Sequence, residues 1–299
     1  MPYHFINNNI DYIKVNGIKR TGQIHHFKTL SSTMDKAREL ARNGAPNLSV
    51  VLAEEQTKGR GRLNRIWLSN KGGLWFTIIL RPDLPLHLVF QVNFAASLSL
   101  ARTLKYKYKL DVSVKWPNDI LLKDKTSAKY KKLAGLLSEM ETEGDSLSFV
   151  NIGIGINVNN NPESYQPYAI SIKNVLGNDS VQDICIMDLL YSFLDHFEKQ
   201  LMNIMDIDVQ PRLISLHDSK LVSHTEPINN RYIKTNHKLM EQWKQMTSTI
   251  GKHVRIETFD DVYEGVAVDI DQSGALIIRD NDGTEKKIIY GDCFYHDTY

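Results

Sequence analysis

Two periods of apolar residues run along this chain, and the change from one to the other divides it. From Ile24 to about Phe197, helical and strand patterns take turns. TMDKARELARNG reads as a helix with Ser32 or Thr33 as N-cap and Gly44 past its end. SVVLAEEQ and LWFTIILRP read as strands, and VFQVNFAASLSLARTLKYKY as a long helix with its apolar residues on one face. VSVKWPNDILL is an apolar run broken at Pro117. KKLAGLLSEMETEG and SLSFVNIGIGINVN read as paired strands joined by the polar turn EGDS, and MDLLYSFLDHFEKQLMNIM as an amphipathic helix. Mixed elements of this kind predict an α+β or α/β sandwich, with helices packed on a mostly β layer.

The segment 206–237 breaks the pattern. It is rich in Asn, His, Ser and Thr without clear period, and reads as an irregular excursion. After LMEQWKQMTSTIG, a short helix ending at Gly251, only short strands follow. HVRIET, YEGVAVDI, ALIIRD and KKIIYG are separated by FDD, DQSG and DNDG, which predicts four or five strands in a small barrel. The expected division is therefore 1–250 for a larger domain, including the excursion 206–237, and 251–299 for the barrel.

Composition narrows the function. Lys+Arg 36 against Asp+Glu 35 leaves a formal net charge of +1, so no global basic field is present to hold nucleic acid. The N-terminus has no basic stretch followed by an apolar one, and no apolar run approaches the ~20 residues that span a bilayer. A cytoplasmic protein with no membrane partner is expected. The two cysteines, Cys185 and Cys293, are too few for a disulfide framework or thiolate metal site and read as buried small apolar residues. His217, His224 and His237 have spacings that fit no helical ligand pair, so no metal site is expected there.

Against this neutral background KGRGRLNRIW, from Lys58 to Trp67, stands out. Glycines let backbone N–H groups approach an anion, the flanking guanidiniums bind oxyanions bidentately, and Trp67 offers a ring to stack on a base. GxGx alone is weak evidence, and neither GxxxxGK[ST] nor a strand-to-helix GxGxxG is present. Three further stretches add to it. KWPND places a Lys, a Pro-stiffened turn and an Asn-Asp pair at a strand end, and KKLAGLL sets a cation just before Gly135. GIGINVN leaves one strand face without side chains at Gly153 and Gly155. Singly, each also reads as ordinary turn or strand structure.

Taken in order, SST, GRGRxxRxW, KWPND, KxxG, GxGxN and a small C-terminal barrel resemble the biotin protein ligases. The resemblance runs from about Ile24 to the C-terminus. It implies a catalytic domain of mixed β-sheet with packed helices, of the class II synthetase kind, followed by an SH3-like barrel. It also implies a two-step reaction: biotin and ATP give biotinyl-5'-AMP and pyrophosphate, and a lysine of a biotin carboxyl carrier protein then takes the biotinyl group.

Laid on this sequence, the resemblance implies that Ser32, Thr33, Gln56, Gly59, Gly135 and the Arg60 backbone bind biotin. Arg60, Arg62, Arg65, Trp67, Asn118, Lys132, Gly155 and Asn157 would bind ATP, with Trp67 over the adenine. Lys132, Asp119 and Arg62 are the implied catalytic groups, Lys132 bridging carboxylate and α-phosphate and Asp119 orienting the amine or helping to hold Mg²⁺. The barrel, with Gly291 and Asp292, is expected to help dock the carrier, and a homodimer through a sheet edge fits the family.

Met34 stands where relatives often carry Asn, and Leu63-Asn64 replaces Arg-Gly, leaving Arg60, Arg62 and Arg65 in register. Two rival functions come from other classes. A bifunctional ligase and transcriptional repressor needs a DNA-binding module, for which only about 25 residues precede the catalytic pattern, so no DNA partner is expected. A lipoate-type protein ligase would carry an Arg-Arg and triple-glycine loop, whose place KWPND takes.

Overall fold

The computed structural model describes residues 11–15, 18–82, 84–177, 183–205 and 237–296. The excursion up to residue 236 lies outside them, and with it His217 and His224. The described part of the chain builds a large mixed sheet and a small antiparallel one.

The large sheet has eight strands: β1 (Asp11–Val15), β2 (Ile18–Leu30), β3 (Ser49–Gln56), β4 (Leu74–Leu80), β5 (Val112–Lys115), β6 (Asp119–Lys123), β7 (Tyr130–Glu143) and β8 (Ser146–Ile156). Their spatial order is β1-β2-β3-β4-β8-β7-β6-β5, with β2 and β3 parallel and every other pair antiparallel. The sheet therefore begins before Ile24, in residues whose polar-rich sequence hides the strand pattern. Gly144, at φ 57°, makes the tight turn between β7 and β8.

The helices divide the two sheet faces unequally. α2 (Phe90–Tyr108) and, after the short α3 (Ile172–Leu176), α4 (Ile186–Met205) cover one face over the main core, where Phe76 meets Phe193 edge-on and Phe193 stacks on Phe197. α2 is not one-sided as its sequence suggests: Gln91, Ser97, Ser99 and Thr103 are buried along with its apolar residues. The helix 237–244 packs against it and accounts for part of this burial, since Trp243 donates from Nε1 to Ser97 Oγ at 2.9 Å. Thr103 Oγ1 turns back to the Ser99 carbonyl, the usual way a buried helix hydroxyl is satisfied.

The other face is only part covered. α1 (Thr33–Arg42), with Ser32 as N-cap and Gly44 at φ 83° after its end, seats Ala37 and Ala41 on Val51, Ile79 and Phe149. Beyond α1 the face is left open.

The small sheet contains β9 (His253–Glu257), β10 (Val262–Ile270), β11 (Leu276–Arg279), β12 (Glu285–Ile288) and β13 (Asp292–Tyr295), in the order β12-β11-β10-β9-β13, all antiparallel. This is the SH3-like unit. Its contact with the large sheet runs through Trp116, whose Nε1 donates to the Gly274 carbonyl and whose N donates to Thr249 Oγ1, itself bonded to Tyr295 OH. Cys293 is buried as expected, and burial pushes its thiol up to about 12, whereas Cys185 is exposed at the polar start of α4 and corrects the expectation for that residue.

Candidate active site

Where the face is left open, glycines decide its shape. In the β8–β4 register Gly155 opposes Trp75 and Gly153 opposes Thr77, and Gly155 also opposes Gly135 on β7. A Cβ on Gly153 would approach Met34 Sδ to 2.7 Å, and one on Gly155 would collide with the Trp67 indole. The bare strip is thus a floor on which α1 and the basic loop rest, with a cavity of about 500 Å³ above it.

Lys132 reaches this cavity because of a bulge. Strict alternation would put Lys131, not Lys132, on the same face as Gly135. Between β6 and β7, however, Ile120 pairs with Ala134 and Leu121 with Lys132, so Leu133 is an extra residue. The slip turns Lys132 onto the Gly135 side, where it pairs with Asp119 at 2.9 Å and lies 5.3 Å from the Trp67 ring centroid. Lys131 points elsewhere, bonding Asp124 at 3.0 Å and Glu163 at 2.8 Å. Simple alternation along β7 therefore does not explain which of the two lysines enters the cavity.

The basic loop folds over the floor as a hairpin-like turn, with Trp67 N donating to the Gly59 carbonyl and Gly61 N to the Arg65 carbonyl. Leu63 sits at φ 50°, a left-handed conformation costing roughly 1–2 kcal/mol in a residue with a Cβ. Carboxylates from three elements hold the loop's cations. Arg60 bonds Asp35 of α1 at 2.7 Å and Glu139 of β7 at 3.1 Å, and Arg65 pairs with Asp292 of β13 at 2.7 Å. Arg62 instead donates to Asn118 Oδ1 at 3.2 Å and the Gly291 carbonyl at 3.1 Å. Burial lowers the Arg62 pKa, with Asp292 and Asp119 acting in the opposite direction.

At the α1 end, Gln56 Oε1 accepts from Thr33 N at 2.7 Å and Thr33 Oγ1 at 3.0 Å, Gln56 Nε2 donates to Ser69 Oγ, and Thr77 donates to Thr33 Oγ1. Beside this closed network Ser32 Oγ and Trp67 Nε1 are buried with no partner among the described residues. Two orphaned polar atoms facing one cavity mark places where a ligand's polar groups fit. Asn118 braces the KWPND turn against the Leu136 carbonyl, and Asn157 accepts from Asn160 Nδ2.

The cavity thus brings together Ser32, Thr33, Gln56, Arg60, Arg62, Arg65, Trp67, Asn118, Asp119, Lys132, Gly135, Gly155 and Asn157. Gly59 is not in its lining. It lies behind the loop, where a Cβ would run into the Trp67 carbonyl, so its bareness lets the loop turn. Asp292 lines the wall, with Gly291 directly before it. Sequence reasoning missed part of that wall. Lys115 and Trp116 were visible within KWPND and given no role, whereas Tyr168, Phe294 and Tyr295 carry no motif. Tyr168 arrives because its carbonyl accepts from Lys132 N, adding its segment to β7 at the bulge.

Among the described residues no cluster of three or more His, Cys, Asp or Glu is placed to hold a metal, and the two carboxylates of the lining, Asp119 and Asp292, are paired with Lys132 and Arg65. Such a site fits a cation carried in on phosphates, not a protein cage.

Comparisons with known proteins identify the family. A profile of the Biotin/lipoate A/B protein ligase family matches residues 26–157, and one of the Biotin protein ligase C terminal domain matches residues 249–295. The bifunctional ligase/repressor BirA of Bacillus subtilis is 33% identical over 264 residues, covering 88% of this chain and 71% of that protein. The biotin--[acetyl-CoA-carboxylase] ligase of Paracoccus denitrificans is 30% identical over 255 residues, covering 83% and 90%. Among solved structures, the biotin protein ligase of Aquifex aeolicus in complex with biotin and ATP shares the fold, with TM-score 0.66, 24% identity and coverage of 91% of this chain and 97% of that one. The chain belongs to the biotin protein ligase family and is an enzyme of the ligase class.

Proposed function

We propose that the protein attaches biotin to a lysine of a biotin carboxyl carrier protein, in two steps through biotinyl-5'-AMP. The observation that carries this reading is the cation of Lys132, turned by the Leu133 bulge onto a glycine floor with arginines above it. The relatives' names supply the acid and the nucleotide.

In the first step a carboxylate oxygen of biotin attacks the α-phosphorus of ATP, the bond to the β-phosphate oxygen breaks, and pyrophosphate leaves with the electron pair. Carboxylate and polyphosphate repel on approach, and Lys132 between them removes that repulsion where negative charge builds. Ser32 and Thr33 meet the ureido group beside the bare Gly135, with Gln56 fixing Thr33 and the Arg60 backbone closing the end. Arg60, Arg62 and Arg65 take the phosphates, Trp67 covers the adenine, and Gly155, Asn118 and Asn157 shape the nucleotide side. In the second step the neutral amine of the carrier lysine attacks the acyl carbon, AMP leaves, and Asp119 orients the amine. Alternatively Asp119 would help to hold Mg²⁺ carried in on the phosphates, which would neutralise part of their charge. The loop's closure excludes water from the labile mixed anhydride.

The division at 250/251, a cytoplasmic setting and a homodimer belong to the same reading. Among the described residues no helix is long and apolar enough to cross a membrane. The match of 249–295 to a biotin ligase C-terminal domain favours biotin over lipoate. Mass spectrometry of the purified chain incubated with biotin and ATP should find retained biotinyl-AMP. An adduct formed with lipoate in preference to biotin, or none, would sink the reading.

A further inference from the structure

Five cations line the cavity, and they differ in what neutralises them. Arg60, Arg65 and Lys132 each form an ion pair with a carboxylate. Lys115, at the end of β5, forms none among the described residues. Its ammonium instead lies 4.8 Å from the Tyr295 ring centroid and 5.9 Å from that of Phe294, both on β13. Asp119 and Asp292 act on it only through space, and burial lowers its pKa. Arg62, whose partners are an amide oxygen and a carbonyl, is next to the same seam.

Holding an ammonium away from water without a carboxylate is unfavourable, and the attraction of two aromatic faces offsets only part of that. The seam between the KWPND turn and β13 is therefore short of negative charge, while the rest of the cavity is neutralised by its own acids. Its position says which anion fits. Lys115 of β5 pairs in register with Asp119 of β6, whose carboxylate holds Lys132 of β7, so Lys115 stands two strands beyond the one that carries the cation at the reacting centre. Asp292, the partner of Arg65, bounds it on the other side.

We propose that Lys115 is a further substrate-binding residue of the adenylation step, contacting the β- and γ-phosphates that depart as pyrophosphate, with Phe294 and Tyr295 of the small sheet clamping its ammonium in place. This rests on the ligase reading above. When the α–β phosphoanhydride breaks, the added negative charge resides on the leaving pyrophosphate, and Lys115 stabilises it without giving up a proton. The small sheet then contributes to the chemistry of the first step through the two rings that position this lysine.

The test uses the full chain and its Lys115→Met and Lys115→Arg variants in biotin-dependent exchange of labelled pyrophosphate into ATP, alongside transfer from preformed biotinyl-AMP to the lysine of a biotin carboxyl carrier protein. Lys115→Met should raise the KM for pyrophosphate at least tenfold, Lys115→Arg should restore most of it, and the loss should be confined to exchange. A lysine that merely glues the two sheets would lower exchange and transfer together, leave the KM for pyrophosphate unmoved and gain nothing from Arg, and that pattern overturns the proposal. If Lys115→Met fails to fold, Lys115→Gln replaces it with the same expected KM change. Absence of exchange in the unaltered chain would instead contradict the ligase reading itself.

Discussion

The floor of the cavity and the loop above it are held by different forces. Floor residues Gly135, Gly153 and Gly155 are fixed by backbone ladders on both sides, their positions independent of charge. The loop from Lys58 to Trp67 is tied down by three sets of side-chain contacts, to α1, to β7 and to the small sheet. Partly exposed ion pairs contribute about 0–1 kcal/mol each and weaken with salt. A rigid floor can hold the reacting atoms in line, while phosphates can take over cations that are held only weakly. Asp35, Glu139 and Asp292 keep the Arg60 and Arg65 guanidiniums over the cavity, the place that the proposed function gives to a polyphosphate.

The largest effect that would break this contrast comes from the floor. Gly155→Ala puts a methyl where the indole of Trp67 lies, and so shifts both the floor contact and the ring. Displacement of this size costs on the order of 10²-fold in rate. Steady-state adenylate formation should fall by that order with the fold intact by circular dichroism, and an unimpaired enzyme would mean that Trp67 leaves the floor when substrates bind. A smaller effect is expected from Trp67→Ala, which should weaken ATP binding by roughly 1–3 kcal/mol in calorimetry, the range for base stacking, with biotin binding little changed. Equal weakening of both ligands would show that Trp67 supports the loop rather than the base. The smallest effect belongs to the loop's tether. Asp292→Asn removes the partner of Arg65 and should change ATP affinity by no more than about 1 kcal/mol. Raising the salt concentration should shrink the difference between the two proteins, and a salt-independent loss would assign Asp292 a contact with substrate.

These contrasts also explain what the sequence made legible. Strands β3, β4, β7 and β8 and helices α1 and α4 follow from period because each buries one face or a continuous apolar run. The glycine floor was readable because alternation places Gly153 and Gly155 on one side. What escaped lacks a local signature. A bulge leaves no mark in KKLAG, yet it decides which lysine enters the cavity. DCFY is a four-residue strand whose importance comes from what it packs against, and Tyr168 arrives through a backbone bond to Lys132. α2 misleads for the same reason, since a second helix more than a hundred residues away covers its polar side. Long-range partners of this kind are set by tertiary packing, which overrides local pattern.

The central claim is that a cation brought onto the glycine floor by the Leu133 bulge drives adenylation, and the two adjacent lysines test it. Removing one donor of transition-state charge costs about 10²–10³ in rate. Lys132→Gln should therefore slow single-turnover formation of biotinyl-AMP by that order at saturating ATP and biotin, with a nearly unchanged thermal midpoint because its ion pair is partly exposed. Lys131→Gln, which loses only its contacts with Asp124 and Glu163, should keep a rate close to that of the unaltered protein and lose up to about 1 kcal/mol of stability. Near-normal adenylation by Lys132→Gln, or a larger loss in Lys131→Gln, would contradict the account.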